Sequence, residues 1–166
     1  MHFPLLVDLA DRSCLVVGGG KVAVRKVKAL ESFGARVAVS LDFDDGDVEG
    51  MALVVAATDD RAVNARVAAL CRAKGIPVNV VDDPANCSFI FPAICRKGPM
   101  TVAVSSGGAC PVAAKIVRDR AARLLEDGFV AEVERLGRAR EELKKRFPDP
   151  SERRRHCEKE LAKWKD

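Results

Sequence analysis

An α/β chain whose first half is a doubly wound parallel sheet is the fold this sequence predicts, and three observations predict it. A glycine-rich turn, Gly18-Gly19-Gly20, separates an apolar run ending at Val17 from a helix-compatible stretch. Continuous apolar runs of strand length, residues 51–57 and 77–81, alternate with helical patterns. That is how strands buried on both faces read. Each of these runs stops at polar residues, Thr58-Asp59-Asp60 and Asp82-Asp83-Pro84, as strands do at the ligand-binding edge of such a sheet.

The first strand is expected over residues 14–17. The spacing Gly18-x-Gly20-x-x-Ala23 fits the dinucleotide fingerprint, which allows alanine at its last position. Gly18 permits the tight turn, Gly20 lets a pyrophosphate approach the backbone, and Ala23 lets the helix pack on the strand. Lys21, Val22 and Ala23 open that helix, whose free N–H groups and positive dipole end suit phosphates. Read alone, the same turn also serves as a purely structural link. The helix is expected to run over 22–33 with Gly34 as its stop, followed by a strand over 35–40. Asp42 then falls about twenty residues past the fingerprint, where an acid binds the ribose hydroxyls of NAD. It also belongs to the acidic run Asp42, Asp44, Asp45, Asp47, which reads equally as a solvated turn.

Residues 41–50 form an unusually short link to the strand at 51–57. Thr58 or Asp59 is expected to cap a helix over 61–74, with Gly75 as its stop. The next strand covers 77–81. The glycine turn, Thr58, Asp59, Asn79 and Asp82 therefore share the carboxyl edge of the sheet.

The pattern changes after Pro84. Residues 88–95 and 100–105 read as strands around the turn Arg96-Lys97-Gly98-Pro99. Pro111 starts a helix to residue 127, Gly128 breaks it, and an amphipathic helix follows over 129–147. Pro148-Asp149-Pro150 stops that helix, and Ser151 caps a final charged one reaching 165. A hairpin and amphipathic helices leave apolar faces in need of cover. A homodimer built mainly from residues after Pro92 is expected; folding back onto the chain's own sheet is the alternative.

With 166 residues and 48% hydrophobic content the chain can bury a sizeable core. Its +4 charge, from 28 basic and 24 acidic residues, is mild. It calls for no nucleic acid and suits a basic cleft for an acidic small molecule. The six cysteines form no Cys-x-x-Cys pair, so no metal site is expected. Cys14 and Cys71 read as core, and His156 as solvated. No leader or membrane-length apolar run is read, and a reducing cytoplasm with free thiols is expected.

Four stretches together resemble the precorrin-2 dehydrogenase / sirohydrochlorin ferrochelatase family, the amino-terminal module of siroheme synthases. They are Val17 to Lys26; Ala56-Ala57-Thr58-Asp59-Asp60 with Val63-Asn64; Asn79-Val80-Val81-Asp82; and Val102 to Gly108 with Pro111. Pro4-Leu5 and Glu152-Arg153-Arg154-Arg155 also match. The resemblance implies a Rossmann-like NAD-binding domain over 1–91, a β-hairpin dimerisation region over 92–127 and a helical carboxyl-terminal region over 128–166. It implies NAD-dependent oxidation of precorrin-2, a polycarboxylated tetrapyrrole, to sirohydrochlorin, and in several members insertion of Fe²⁺, for which Co²⁺ can stand in.

By the same resemblance Asp82 is the catalytic carboxylate, a general base; its alternative is capping the turn before Pro84. Gly18, Gly20, Lys21, Val22, Ala23, Thr58 and Asp59 match cofactor-binding positions, and Asp42 and Phe43 match the ribose positions by offset. Asn79, Ser105, Ser106 and Gly107 match substrate positions, and the serine matching Ser106 is phosphorylated in some relatives. Ser105 to Gly108 read alone is a tight strand-to-helix turn. Arg96, Lys97, Lys115, Arg118 and Arg120 are candidate partners for substrate carboxylates. Relatives carry a longer segment where 41–50 stands here. Two other readings stay open: a non-catalytic NAD-binding regulatory dimer, and a chelatase without dehydrogenase activity.

Overall fold

A computed structural model describes residues 2–165. The chain forms two compact units, Met1–Phe91 and Pro92–Asp166.

The first unit contains β1 (Ser13–Val17), α1 (Lys21–Glu31), β2 (Arg36–Ser40), β3 (Leu53–Ala56), α2 (Arg61–Lys74) and β4 (Val78–Val80). All neighbouring strands are parallel and lie in the order β2-β1-β3-β4. The strand sequence runs outward from β1 in both directions, so the order reverses between β1 and β3. That is where α/β sheets open a crevice for ligands. Alternate residues of the central strands feed two cores. Leu15, Val17, Val54 and Ala56 meet Val67, Ala68 and Cys71 of α2 on one face. Cys14, Val16, Leu53 and Val55 meet Ala23 and Leu30 of α1 on the other. Val54 and Val55 are fully buried, each contributing about 1.5–3 kcal/mol of hydrophobic stabilisation.

Several boundaries differ from the sequence expectation for local reasons. Asp60, not Thr58 or Asp59, caps α2, its carboxylate accepting from the N–H groups of Ala62 and Val63. The link after β2 is folded by its own acids. A short 3₁₀ turn, Asp45–Val48, is closed by a capping box between Asp44 and Asp47. Ser40 donates to Asp47 at 2.8 Å, Arg66 pairs with Asp45 at 2.8 Å, and Val48 is fully buried beneath. The outer edge of β4 is covered by residues 87–89: Val78 N–H donates to Ser88 Oγ and Ser88 N–H to the Val78 carbonyl, both at 2.8 Å. This replaces the expected strand start at 88 and blunts a sheet edge.

In the second unit β5 (Ala93–Lys97) and β6 (Met100–Val104) form an antiparallel hairpin. Its turn glycine, Gly98, has φ +53°, and an added Cβ would lie 2.6 Å from Val130 and 2.7 Å from Glu134. Four helices follow: α3 (Pro111–Ala122), α4 (Asp127–Arg138), α5 (Arg140–Arg146) and α6 (Pro150–Glu160). α3 packs on both hairpin strands. It ends before the expected residue 127, and Gly128 lies inside α4 instead of breaking a helix. The single helix expected over 129–147 is two, divided at Ala139, whose ψ of 1° leaves the helical range. Asp149, not Ser151, caps α6 by accepting from Ser151 N–H at 2.8 Å. His156 is half-buried and stacked 5.1 Å from the Phe147 ring, not solvated as expected. The outer face of α3 exposes Val112, Ile116 and Val117, and Leu124 is exposed just beyond its end.

Candidate functional site at the carboxyl edge of the sheet

Gly18 and Gly20 do different work. Gly18 has φ +118°, and an added Cβ would come within 2.7 Å of the Ala57 carbonyl carbon. It is there to let the turn after β1 pass the end of β3. Gly20 has ordinary extended backbone, φ −71°, at the N-cap of α1, and no side chain caps that helix. A Cβ at Gly20 would meet nothing within 4 Å. The N–H groups of Lys21, Val22 and Ala23 therefore open onto free space that a side chain would fill, the cradle a pyrophosphate requires. The residues present fit a dinucleotide.

Asp42 and Phe43 separate in the structure. Asp44, Asp45 and Asp47 are occupied in folding the link, whereas the exposed Asp42 carboxylate accepts no hydrogen bond from the described residues. Phe43 packs against the sheet core with the Arg66 guanidinium 5.5 Å from its ring. Leu41, which precedes them, is exposed and leans over Gly19.

Thr58, at the end of β3, is held rigidly. Its hydroxyl donates to Asn64 Oδ1 at 2.8 Å, and Asn64 Nδ2 donates back to the Thr58 carbonyl at 3.0 Å. Asn64 is 7% exposed and is a positioning residue, quoted in the sequence motif with Val63 but given no role there. Its signal was a poor helix former in the first turn of α2 on the buried face. Replacing Asn64 with Leu is expected to cost about 1–3 kcal/mol, because buried polar groups lose their partners. Urea unfolding checks this. Asp59 is exposed beside Thr58.

At the end of β4 the backbone does something unusual. Asp82 takes φ +57°, left-handed and without glycine, a conformation that costs energy and collects at functional sites. Asp83 is engaged, accepting from Asn86 Nδ2 at 2.7 Å. Asp82 is exposed, and nothing among the described residues donates to its carboxylate. It does not cap the turn before Pro84. Asn79, one turn of strand earlier, is buried and donates to the Phe89 carbonyl at 3.0 Å, so its amide fixes the 87–89 segment. Lys26 of α1 belongs to this edge too. Its ammonium stands 3.6 Å from the Phe91 ring centroid.

In the second unit the turn before α3 is tied by its serines. Gly107 N–H donates to Ser105 Oγ at 3.1 Å and Cys110 N–H to Ser106 Oγ at 3.0 Å. Gly107 and Gly108 both have positive φ. Lys97 pairs with Asp127 at 2.7 Å and Arg118 with Asp119 at 2.7 Å, whereas Lys115 and Arg120 are exposed without an ion-pair partner among the described residues. Burial raises the Cys14 thiol and pushes that of Cys71 up to about 11, so neither offers a thiolate. Among the described residues no three His, Cys, Asp or Glu are grouped to hold a metal, and no helix is long and apolar enough to cross a membrane.

A parallel sheet with its order reversing at a glycine turn, a bare helix N-terminus and a free acid after β2 defines a dinucleotide-binding Rossmann-like domain. Residues 5–93 match the family model described as "Putative NAD(P)-binding", and the chain belongs to that NAD(P)-binding family. Its relatives include the siroheme synthase of Methylococcus capsulatus, 41% identical over 96% of this chain and 38% of that protein. The siroheme synthase of Ectopseudomonas mendocina is 44% identical over 91% of this chain and 37% of its own length. The chain thus spans under two-fifths of those relatives. A solved structure of SirC, precorrin-2 dehydrogenase, shares the fold with a TM-score of 0.69 and 22% identity, covering 95% of this chain and 88% of that one.

Proposed function

We propose that this protein binds NAD and oxidises precorrin-2 to sirohydrochlorin in siroheme biosynthesis. One observation carries the reading. An unpartnered carboxylate, Asp82, is held in a left-handed backbone conformation on the same sheet edge as an open, uncapped glycine turn. NAD supplies the hydride acceptor when bound. Removing a hydride from the reduced macrocycle must be matched by removing a proton, and Asp82 is the base that takes it. Gly18, Gly20, Lys21, Val22 and Ala23 seat the pyrophosphate, and Thr58 and Asp59 flank it. Asp42 accepts from the ribose hydroxyls, which favours NAD over its 2′-phosphate; Phe43 supports Asp42 from the core. Asn79 acts on substrate through the segment it fixes.

The second unit suits an acidic substrate. After Phe91 the chain carries eighteen Lys and Arg against twelve Asp and Glu, a bias that attracts a polycarboxylate. Ser105, Ser106 and Gly107 are its proposed substrate contacts, with Lys115 and Arg120 available for carboxylates. The exposed apolar residues of α3 support a homodimer through the 92–127 region, with 128–166 as the helical carboxyl-terminal region. Free cysteines fit a reducing cytoplasm.

The test is direct. Mixing the protein anaerobically with precorrin-2 and NAD⁺ is expected to give NADH and sirohydrochlorin in equal amounts by absorbance. NAD binding without NADH formation would sink the reading in favour of a regulatory role. Adding Co²⁺ or Fe²⁺ afterwards reads metal insertion, with the metal as substrate.

A further inference from the structure

Lys26 is a cation placed at cost. It is half-buried on α1, its ammonium faces the Phe91 ring at 3.6 Å, and among the described residues it has no hydrogen-bond acceptor and no ion pair. The ammonium is thus set against an aromatic face, and its three N–H donors have no acceptor among the described residues. A cation–π contact offsets part of the desolvation but satisfies no N–H donor. Lysines ordinarily bury the stem and keep the ammonium in water.

From this geometry we infer that Lys26 binds a carboxylate of the substrate next to Asp82, an assignment that rests on the dehydrogenase reading above. The electrostatics explain why the position needs it. Asp82 must stay ionised to act as a base, and a polycarboxylate brought against it is repelled. A fixed ammonium on the neighbouring helix offsets that repulsion and fixes which carboxylate lies beside the base. The pyrophosphate needs no such help, because the α1 N–H groups already serve it. Burial, reinforced by Arg25 on the same helix, brings Lys26 down to about 8, while Cys87 and Asp82 oppose the shift. The charged form is the one that binds a carboxylate. Affinity that depends on Lys26 is therefore full below pH 8 and falls as pH rises through it.

Two variants test this. Lys26→Met keeps the apolar stem against Phe91 and removes the charge; Lys26→Arg keeps the charge. Titration with sirohydrochlorin, without turnover, is expected to show Lys26→Met binding about tenfold or more weaker, Lys26→Arg largely restored, and NAD affinity unchanged in both. Wild-type affinity should fall above pH 8, and that dependence should vanish in Lys26→Met. Thermal unfolding is expected to show Lys26→Met no less stable than wild type, since a desolvated charge is removed. Equal sirohydrochlorin binding by wild type and Lys26→Met overturns the assignment while leaving the dehydrogenase reading intact. Weakened NAD binding with unchanged sirohydrochlorin binding also overturns it, placing Lys26 on the cofactor. A wild type that binds no sirohydrochlorin overturns both.

Discussion

Asp82→Asn is expected to slow precorrin-2 oxidation by about 10²–10⁴-fold, the range a positioned general base contributes. The variant is informative because of the backbone. At φ +57° most residues would add strain, but asparagine tolerates the left-handed region as aspartate does. Asp82→Asn therefore removes the charge and little else. No hydrogen bond to the carboxylate is lost, because no described residue makes one. Thermal stability and NAD affinity should match wild type, and single-turnover NADH formation should carry the whole defect. Asp83→Asn is the contrasting variant. It weakens the bond from Asn86 and is expected to change stability more than turnover. Full turnover by Asp82→Asn would remove it from the mechanism.

The parallel sheet was legible because, apart from β2, which lies half-exposed at the edge, its strands β1, β3 and β4 are buried on both faces. Such strands read as unbroken apolar runs ended by polar residues, and the run at 51–57 differs from the folded strand, Leu53–Ala56, only at its ends. What the sequence concealed is of two kinds. Local competition among neighbouring polar residues decided the caps. Thr58, Asp59 and Asp60 are all able capping residues, and Thr58 is withdrawn because Asn64, six residues on, takes its hydroxyl. Likewise Asp149 caps α6 ahead of Ser151 because Pro150 fits the first helical position. The second kind is the division of labour within a run. Four acids in 42–47 look alike in sequence, but folding the short link engages three and leaves Asp42. Nothing in spacing announces that, because it depends on Ser40 and on Arg66 from a distant helix. The left-handed Asp82 was equally hidden, since Val-Asp-Asp-Pro reads as extended chain before a proline.

The glycine turn yields the sharpest contrast, because its two fingerprint glycines are expected to fail in opposite ways. Gly18→Ala places a methyl against the Ala57 carbonyl and forces a non-glycine residue to φ +118°. The expected cost is about 2–4 kcal/mol of folding stability, with loss of NAD binding only as a consequence. Gly20→Asp does the reverse. Its backbone, φ −71° and ψ 174°, is that of an N-cap, and aspartate is among the best residues there. The α1 helix should gain about 0.5–1 kcal/mol, less any strain. The same carboxylate fills the open cradle and sets a negative charge against a pyrophosphate. NAD affinity should fall at least about 100-fold, some 3 kcal/mol. Urea unfolding and calorimetric NAD titration on the two variants separate the outcomes. A Gly20→Asp protein that is more stable than wild type yet does not bind NAD would locate the phosphates at the bare start of α1. Unchanged affinity in that variant would move them elsewhere.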